Sequence, residues 1–414
     1  MSKEAQNYSK NRWVVLIASC LINLCIGSLY AWSVFAGPLA EHLSAVMGTK
    51  VASLAVVFTI ANSVGPITMI SGGTINDRLG PKWVVFAGGI LFGAGMILTG
   101  FATNFSMVVI GYGLCVGLGV GLVYGCTISN SVKFFPDKRG LAGGLATASY
   151  GVSSVLVPLI ANMLINRFDV TIAFKGLGIV MMVTICLAAF FIRPCPKDFK
   201  PDGWNPTIAN QKKSFPDKNW QEIIKDPIFY ILILMLSCGA FSGLMVISQA
   251  SLVAQRMIGL SVAAATTAVS VLALNNTLGR VLAGYISDKI GATKTILAVF
   301  ILSACGLMVL FLAGAGQVGL FYVGISIVGL CFGSIMGIFP GVTAHQFGAK
   351  NNSVNYGIMF IGFAAAGFFG PTIMSNIYEN SGNYHNAFIV AACLAVVGII
   401  LTLIYMKSNS MTKK

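Results

Sequence analysis

Asn276 and Arg280 lie one helical turn apart in the stretch NNTLGRVLAGYISDKIG, which runs from Asn275 to Gly291. The residues around them, from Ala263 on, are apolar or small. A guanidinium keeps its charge and carries five N–H donors in one plane, a shape that pairs bidentately with a carboxylate. In hydrocarbon it costs about 2.5–3.5 kcal/mol on insertion scales, so it has to face a cavity and a partner. All twelve Asp and Glu, and His42, His345 and His385, fall in loops, tails or the edges of apolar runs. The partner left for Arg280 is an anion from outside the chain. The competing reading gives Arg280 hydrogen bonds to backbone carbonyls or to Asn276 within a packed bundle. Asn276 shares its helix face and is placed to orient the guanidinium or to donate to the anion.

Aromatic residues suggest the walls of such a site. GSLYAWSVFAGP supplies Tyr30, GLVYGCTISN supplies Tyr124, and GLCFGSIMGIFPG places Phe332 and Met336 one turn apart. NYGIMFIGFAAAG adds Tyr356, Phe360 and Phe363. Buried tyrosine hydroxyls need partners, and an apolar cage with few polar groups is the usual form of a small-molecule site. Leu145, Phe332, Met336 and Phe363 are expected around the apolar end of the ligand. Chemistry on bonds would instead need a nucleophile–base pair or clustered metal ligands. With every acid and histidine at the edges, no enzyme, cofactor or metal site is expected.

The elements that carry these residues are membrane helices. The chain is 414 residues long, 56% hydrophobic and 9% charged, where soluble domains carry about 25% charge. Twelve apolar runs are each long enough to cross about 30 Å of hydrocarbon: 13–37, 52–72, 83–103, 106–131, 141–165, 171–192, 227–251, 262–286, 295–315, 317–341, 355–378 and 385–406. The polar head MSKEAQNYSKNR leads into the first run without a small-residue cleavage site, so that run is read as a retained helix. With the N-terminus in the cytoplasm, twenty-one of the 26 Lys and Arg fall on the cytoplasmic side. Lys50, Arg167 and Arg256 fall outside, and Lys175 and Arg280 lie within runs. That asymmetry explains the net charge of +14 by topology, not by nucleic acid. Both termini are expected in the cytoplasm, in the inner or plasma membrane. The ten cysteines lie almost all inside runs without a CxxC pair and read as packing residues.

The chain divides into residues 1–192, a polar stretch 193–226 rich in Pro, Lys and Asp, and residues 227–414. The outer pieces carry a repeat. GTINDRLG (73–80) follows the second run and GYISDKIG (284–291) the eighth, both G-x-x-x-D-[RK]-[LI]-G and 211 residues apart. Pattern and position together indicate a duplicated transporter architecture. Asp77, Arg78, Asp288 and Lys289 are the candidates for a cytoplasmic gate, since a carboxylate can cap a helix end and pair across a seam. Gly113, Gly117, Gly121 and Gly125 form one stripe of the fourth run, and Gly140, Gly143, Gly144 and Gly151 recur in the fifth. Such stripes let helix backbones touch, as static packing or as a sliding seam.

Over essentially its whole length the sequence resembles the major facilitator superfamily. Within it the chain is similar to the oxalate/formate antiporter family and to bacterial monocarboxylate (lactate/pyruvate) transporters. The matching residues are NRW (11–13), LYAWS (29–33), VYG (123–125), FFPDKRGLA (134–142), LGRVLAGYISDKIG (278–291), FPG (339–341) and NYG (355–357). The resemblance implies an all-α polytopic membrane protein, with twelve transmembrane helices in two pseudo-symmetric six-helix bundles. It also implies alternating access, with the Arg280 position anchoring a small carboxylate and the doubled loop motif holding the halves in one state. The oxalate carrier of that family has a lysine where Phe363 stands here, so a monoanion with an apolar tail (lactate, pyruvate or similar) is expected. The monocarboxylate transporters carry an acid at the Asn276 position and a lysine in the first run, and both are missing here. Proton symport, with H+ as the second passenger, is the expected coupling. Exchange of one carboxylate for another, as in an oxalate/formate antiporter, is the alternative. A monomer in the lipid bilayer is expected.

Overall fold

The structure is a computed structural model that describes residues 3–51, 54–196, 199–202, 204 and 216–411. Among these it is helical, with no strand. Span one starts as Lys3–Ile26, tightens into a 3-10 turn at Gly27–Ala31 and continues as Trp32–Met47. Spans two, three, five and six are Ala55–Leu79, Pro81–Gly100, Arg139–Arg167 and Val170–Ala189. Span four begins at Phe105–Val108, widens into a π-turn at Val109–Val116 and runs on as Gly117–Phe134. Spans seven to twelve are Pro227–Arg256, Val262–Ile290, Ala292–Leu312, Val318–Gln346, Asn352–Ser381 and His385–Met411. Of the linker, residues 205–215 lie outside the described residues, and its last part forms the short helix Trp220–Lys225, closed by an Asn219–Glu222 capping box.

Among the described residues, eleven of the twelve spans are long and apolar enough to cross a membrane by length and composition alone. The remaining one is span eight, as long as its neighbours but carrying Asn275, Asn276 and Arg280. The helices outrun the apolar runs. GTINDR and GYISDK, expected as loops, are the last turns of spans two and eight. Apolarity ends where hydrocarbon ends, whereas a helix continues until its hydrogen bonding is stopped. The stop comes at Gly80 and Gly291, the last residues of the repeated motif. Their φ values are +93° and +95°, a backbone region open to glycine, and each N–H still reaches the carbonyl four residues back, Asn76 or Ser287. The repeat therefore has the same backbone form in both places.

Spans one to six and spans seven to twelve meet along two main seams, span two against eleven and span five against eight, with spans four and five also touching ten. The two glycine groups do different work. The span-four stripe faces span two of the same six: Gly117 lies on Ala61 and Val64, Gly121 on Gly65 and Thr68, and Gly125 on Met69. The span-five glycines face the other six. Gly140 and Gly144 lie against the backbone of Gly284, and Gly151 against Thr277.

Candidate functional site

Arg280 sits where span eight is gripped by glycines on both sides. A methyl group on Gly144 of span five, or on Gly337 of span ten, would strike the Arg280 carbonyl, and one on Gly333 would strike that of Asn276. Backbones in such close contact leave Arg280 1% exposed. Its Nε donates to Asn276 Oδ1 at 3.1 Å and its Nη1 to the Thr147 carbonyl of span five at 2.8 Å. The competing hydrogen-bonded reading of the sequence thus describes part of the geometry. It does not neutralise the charge. The ion pairs among the described residues are Arg12–Asp137, Lys133–Asp77 and Lys218–Asp226, and none involves Arg280. Two of five donors are engaged by these bonds.

A cavity of about 40 Å³ opens beside Arg280, where one water needs roughly 10–15 Å³. Tyr30, Tyr124, Tyr150, Met69 and Asn62 line it from spans one, two, four and five, and Met336, Phe360 and Phe363 from spans ten and eleven. Tyr150 makes edge contacts with Tyr30 at 5.2 Å and Tyr124 at 5.1 Å. Phe360 and Phe363 stack at 4.4 Å. Five expected residues, Arg280, Tyr30, Tyr124, Met336 and Phe363, share this cavity. Asn276 is 7% exposed and stands behind, holding the guanidinium. Phe332 and Leu145 are corrections. Phe332 is outside the lining, wedged against Gly243 of span seven with its ring 6.5 Å from Phe363. Leu145 packs on the core, and the span-five residue that reaches the cavity is Tyr150. The argument applied to Tyr30 and Tyr124, that a hydroxyl in an apolar run needs a partner, would have found Tyr150 as well.

At the end that carries the basic loops the two sets of six are bolted together. Asp77 accepts from Lys133 Nζ at 2.7 Å and, across the seam, from the Val354 N–H at 3.2 Å. Lys133 Nζ also reaches the Lys350 carbonyl at 3.1 Å. Asn76 bonds Ser353, and Asn352 bonds Ser129 at 3.2 Å. Asp288 accepts from the Gly140 and Leu141 N–H groups, both at 2.8 Å. Burial pushes the Asp288 carboxyl above its ordinary value, against the lowering effect of those two donors. Each aspartate thus caps the first turn of a helix from the other six, span eleven for Asp77 and span five for Asp288. Arg78 and Lys289 do not join them. Arg78 is exposed, and Lys289 lies over the Tyr285 ring at 4.4 Å. Unpaired N–H groups at a helix start call for an anion, and a cation there would meet the positive end of the dipole. NRW and FFPDKRGLA lock to each other within the first six: Arg12 pairs with Asp137 at 2.7 Å, and Trp13 meets Phe135 edge-on at 4.9 Å.

The sequence model described as the Major Facilitator Superfamily matches residues 20–371 and again 247–414. The chain belongs to the Major Facilitator Superfamily. Superfamily members among its relatives include an uncharacterised MFS-type transporter of Escherichia coli, YhjX, 30% identical over 357 residues and covering 86% of each chain. The oxalate:formate antiporter of Oxalobacter formigenes is 30% identical over 393 residues, 94% of this chain and 90% of that protein. Monocarboxylate transporter 13 of Rattus norvegicus is 24% identical over 401 residues, 94% of this chain and 88% of that one. In fold, the chain is similar to the Escherichia coli fucose:proton symporter, with a TM-score of 0.71 at 12% identity over 95% of this chain and 98% of that one. A proton:xylose symporter matches with a TM-score of 0.72 at 15% identity, over 95% and 96%. This MFS chain is an integral membrane transporter built on the twelve-helix fold.

Proposed function

We propose that this chain is a secondary active carrier of a small monocarboxylate (lactate, pyruvate or similar), working by alternating access with a proton as the co-transported ion. The carrying observation is Arg280, a buried cation with no carboxylate partner among the described residues, beside a small cavity whose other walls include tyrosines and stacked phenylalanines. The substrate carboxylate takes the free guanidinium donors, with Tyr30, Tyr124 and Tyr150 offering hydroxyls. Asn276 fixes the orientation of Arg280, and Met336, Phe360 and Phe363 enclose the tail. The cavity lining holds one cation. A dianion there would keep about one charge unbalanced in an apolar setting, a cost of several kcal/mol. The relatives named for carboxylates support this substrate class, and the oxalate:formate relative supplies the second reading, a carboxylate antiporter.

In this reading residues 1–192 and 227–414 are two bundles that rock about the site, joined by 193–226. The Asp77 and Asp288 caps hold the cytoplasmic side shut. The membrane is the cell's inner or plasma membrane, and both termini are cytoplasmic. The test is uptake of labelled L-lactate into proteoliposomes with and without an inward proton gradient, competed by pyruvate, formate and oxalate. Gradient-driven uptake blocked by pyruvate and not by oxalate is the expected result. Oxalate exchange without lactate uptake would replace this reading with the antiporter.

A further inference from the structure

Anion anchoring and the two aspartate caps leave Asn355-Tyr356-Gly357 unexplained, although these three consecutive residues face three different parts of the molecule. Asn355 is 0% exposed and donates from Nδ2 to the Lys218 carbonyl of the linker at 3.0 Å. Asn351, one turn earlier, donates to the same carbonyl at 3.1 Å. Tyr356 is buried against Phe360, with ring centroids 5.7 Å apart, and Phe360 in turn meets Tyr124 at 5.6 Å at the cavity. Gly357 lies against the span-two backbone at Met69–Ile70, where a side chain would have to push the seam apart.

The linker end is seated for this contact. Lys218 N–H donates to the Phe347 carbonyl at 2.9 Å, and Asp217 accepts from the Lys350 N–H at 3.1 Å. Asp217 presses on Gly348, whose φ of +82° and missing side chain make the room. Residues 217–218 therefore form a strap across the turn from span ten to span eleven. The other face of that same segment carries the seam: the Lys350 carbonyl accepts from Lys133, the Val354 N–H donates to Asp77, and Ser353 meets Asn76. The first turn of a helix is where fraying starts, because its N–H groups have no helical partner.

We propose that Asn355 is a positioning residue through which the linker holds the first turns of span eleven in register with span two, and so sets Phe360 in the cavity wall, with Tyr356 packed behind it. A helix turn is stiff, so a hold on Asn355 is passed to Tyr356 and Gly357 without any moving loop between them. The effect on transport rests on the carrier reading above; the coupling of linker to span two does not.

Two variants test it from opposite ends. Asn355→Asp keeps the shape but removes the N–H that holds Lys218. Asp217→Ala alters the linker side only, and serves if the first variant fails to fold. Hydrogen exchange is followed by mass spectrometry in peptides covering 69–77 and 347–357, beside the KM and maximal rate of labelled lactate uptake. The expected result is exchange faster by about ten-fold in both peptides, with KM changed several-fold. Faster exchange confined to 347–357, with 69–77 and KM as in the unaltered protein, would make the strap merely structural and overturn the proposal. Should the unaltered protein carry none of the acids tried, the carrier reading fails, and the 69–77 peptide still decides this one.

Discussion

The two sets of six helices touch in the middle of the molecule and again at the basic end, and the two contacts are chemically unlike. In the middle, Arg280 crosses the seam to a single backbone carbonyl, Thr147, and meets no counter-charge among the described residues. At the end, Asp77 and Asp288 cross the seam to backbone N–H groups, and Asp77 is also paired with Lys133. The protein joins the end through its own aspartates, while the middle presents a guanidinium that no carboxylate among the described residues meets. In the carrier reading proposed above this difference separates a lock from a binding site, and each half of it can be broken on its own.

The largest effect is expected in the middle. Arg280→Lys keeps the charge and loses the planar fork, so both the Asn276 and Thr147 bonds and the bidentate grip on a carboxylate go together. Uptake should fall by about 100-fold or more, the scale of a misplaced reacting or binding group, with the protein still present in the membrane by immunoblot. Uptake close to that of the unaltered protein would take Arg280 out of the mechanism.

The end should break in two unequal steps. Asp77 and Lys133 are 6% and 17% exposed in their side chains, and Asp77→Asn strands a mostly buried ammonium. Removing one partner of a buried pair costs about 3–5 kcal/mol, and the Lys350 carbonyl softens that here. Asp288 is in no ion pair among the described residues; Asp288→Asn loses one acceptor to a backbone N–H, about 1–2 kcal/mol. Amide exchange should rise at Val354 in the first variant and at Gly140 and Leu141 in the second, by less. Equal effects would mean that Lys133 contributes nothing to the lock.

How much of this was legible in the chain follows the same division. Arg280 stood out because a guanidinium in an apolar run has few physical explanations, and Asp77 and Asp288 because the motif recurs with its glycine stops. What they touch was not legible. Val354 lies 277 residues from Asp77 in sequence, and no periodicity reports which helix of one bundle will face which of the other. The same limit misplaced Leu145 and Phe332. Both lie on the right helices, but the angular position of a residue about its helix is set by glycine contacts such as Gly243 against Phe332. It also hid the different roles of the glycine stripes, since the stripe on span four and the group on span five look alike as spacings.

A third change would sharpen the middle into a question of selectivity. Phe363→Lys places a second cation in the cavity wall, where its loss of stacking on Phe360 is offset for a dianion by charge. Oxalate should then compete for transport where it did not before, with the ratio of oxalate to lactate inhibition moving by about ten-fold, since each unbalanced buried charge is worth kcal/mol. Competition that stays as in the unaltered protein would mean the aromatic wall does not choose between mono- and dianions.

The smallest expected effect concerns Tyr150, which touches both Tyr30 and Tyr124 by its ring edge and lines the same cavity. Tyr150→Phe removes one oxygen and keeps every ring contact, so the bundle and the lock should be unchanged. If the hydroxyl donates to the bound carboxylate, its loss is worth about 0.5–1.5 kcal/mol, a few-fold rise in KM with the maximal rate kept. If Tyr150 only fills space, KM stays where it was, and the polar side of the site shrinks to Arg280, Tyr30 and Tyr124. Either value is informative because the substitution leaves the basal packing alone. A fall in maximal rate without a change in KM would instead place Tyr150 with the moving seam, since its neighbour Gly151 is the residue that meets Thr277 of span eight.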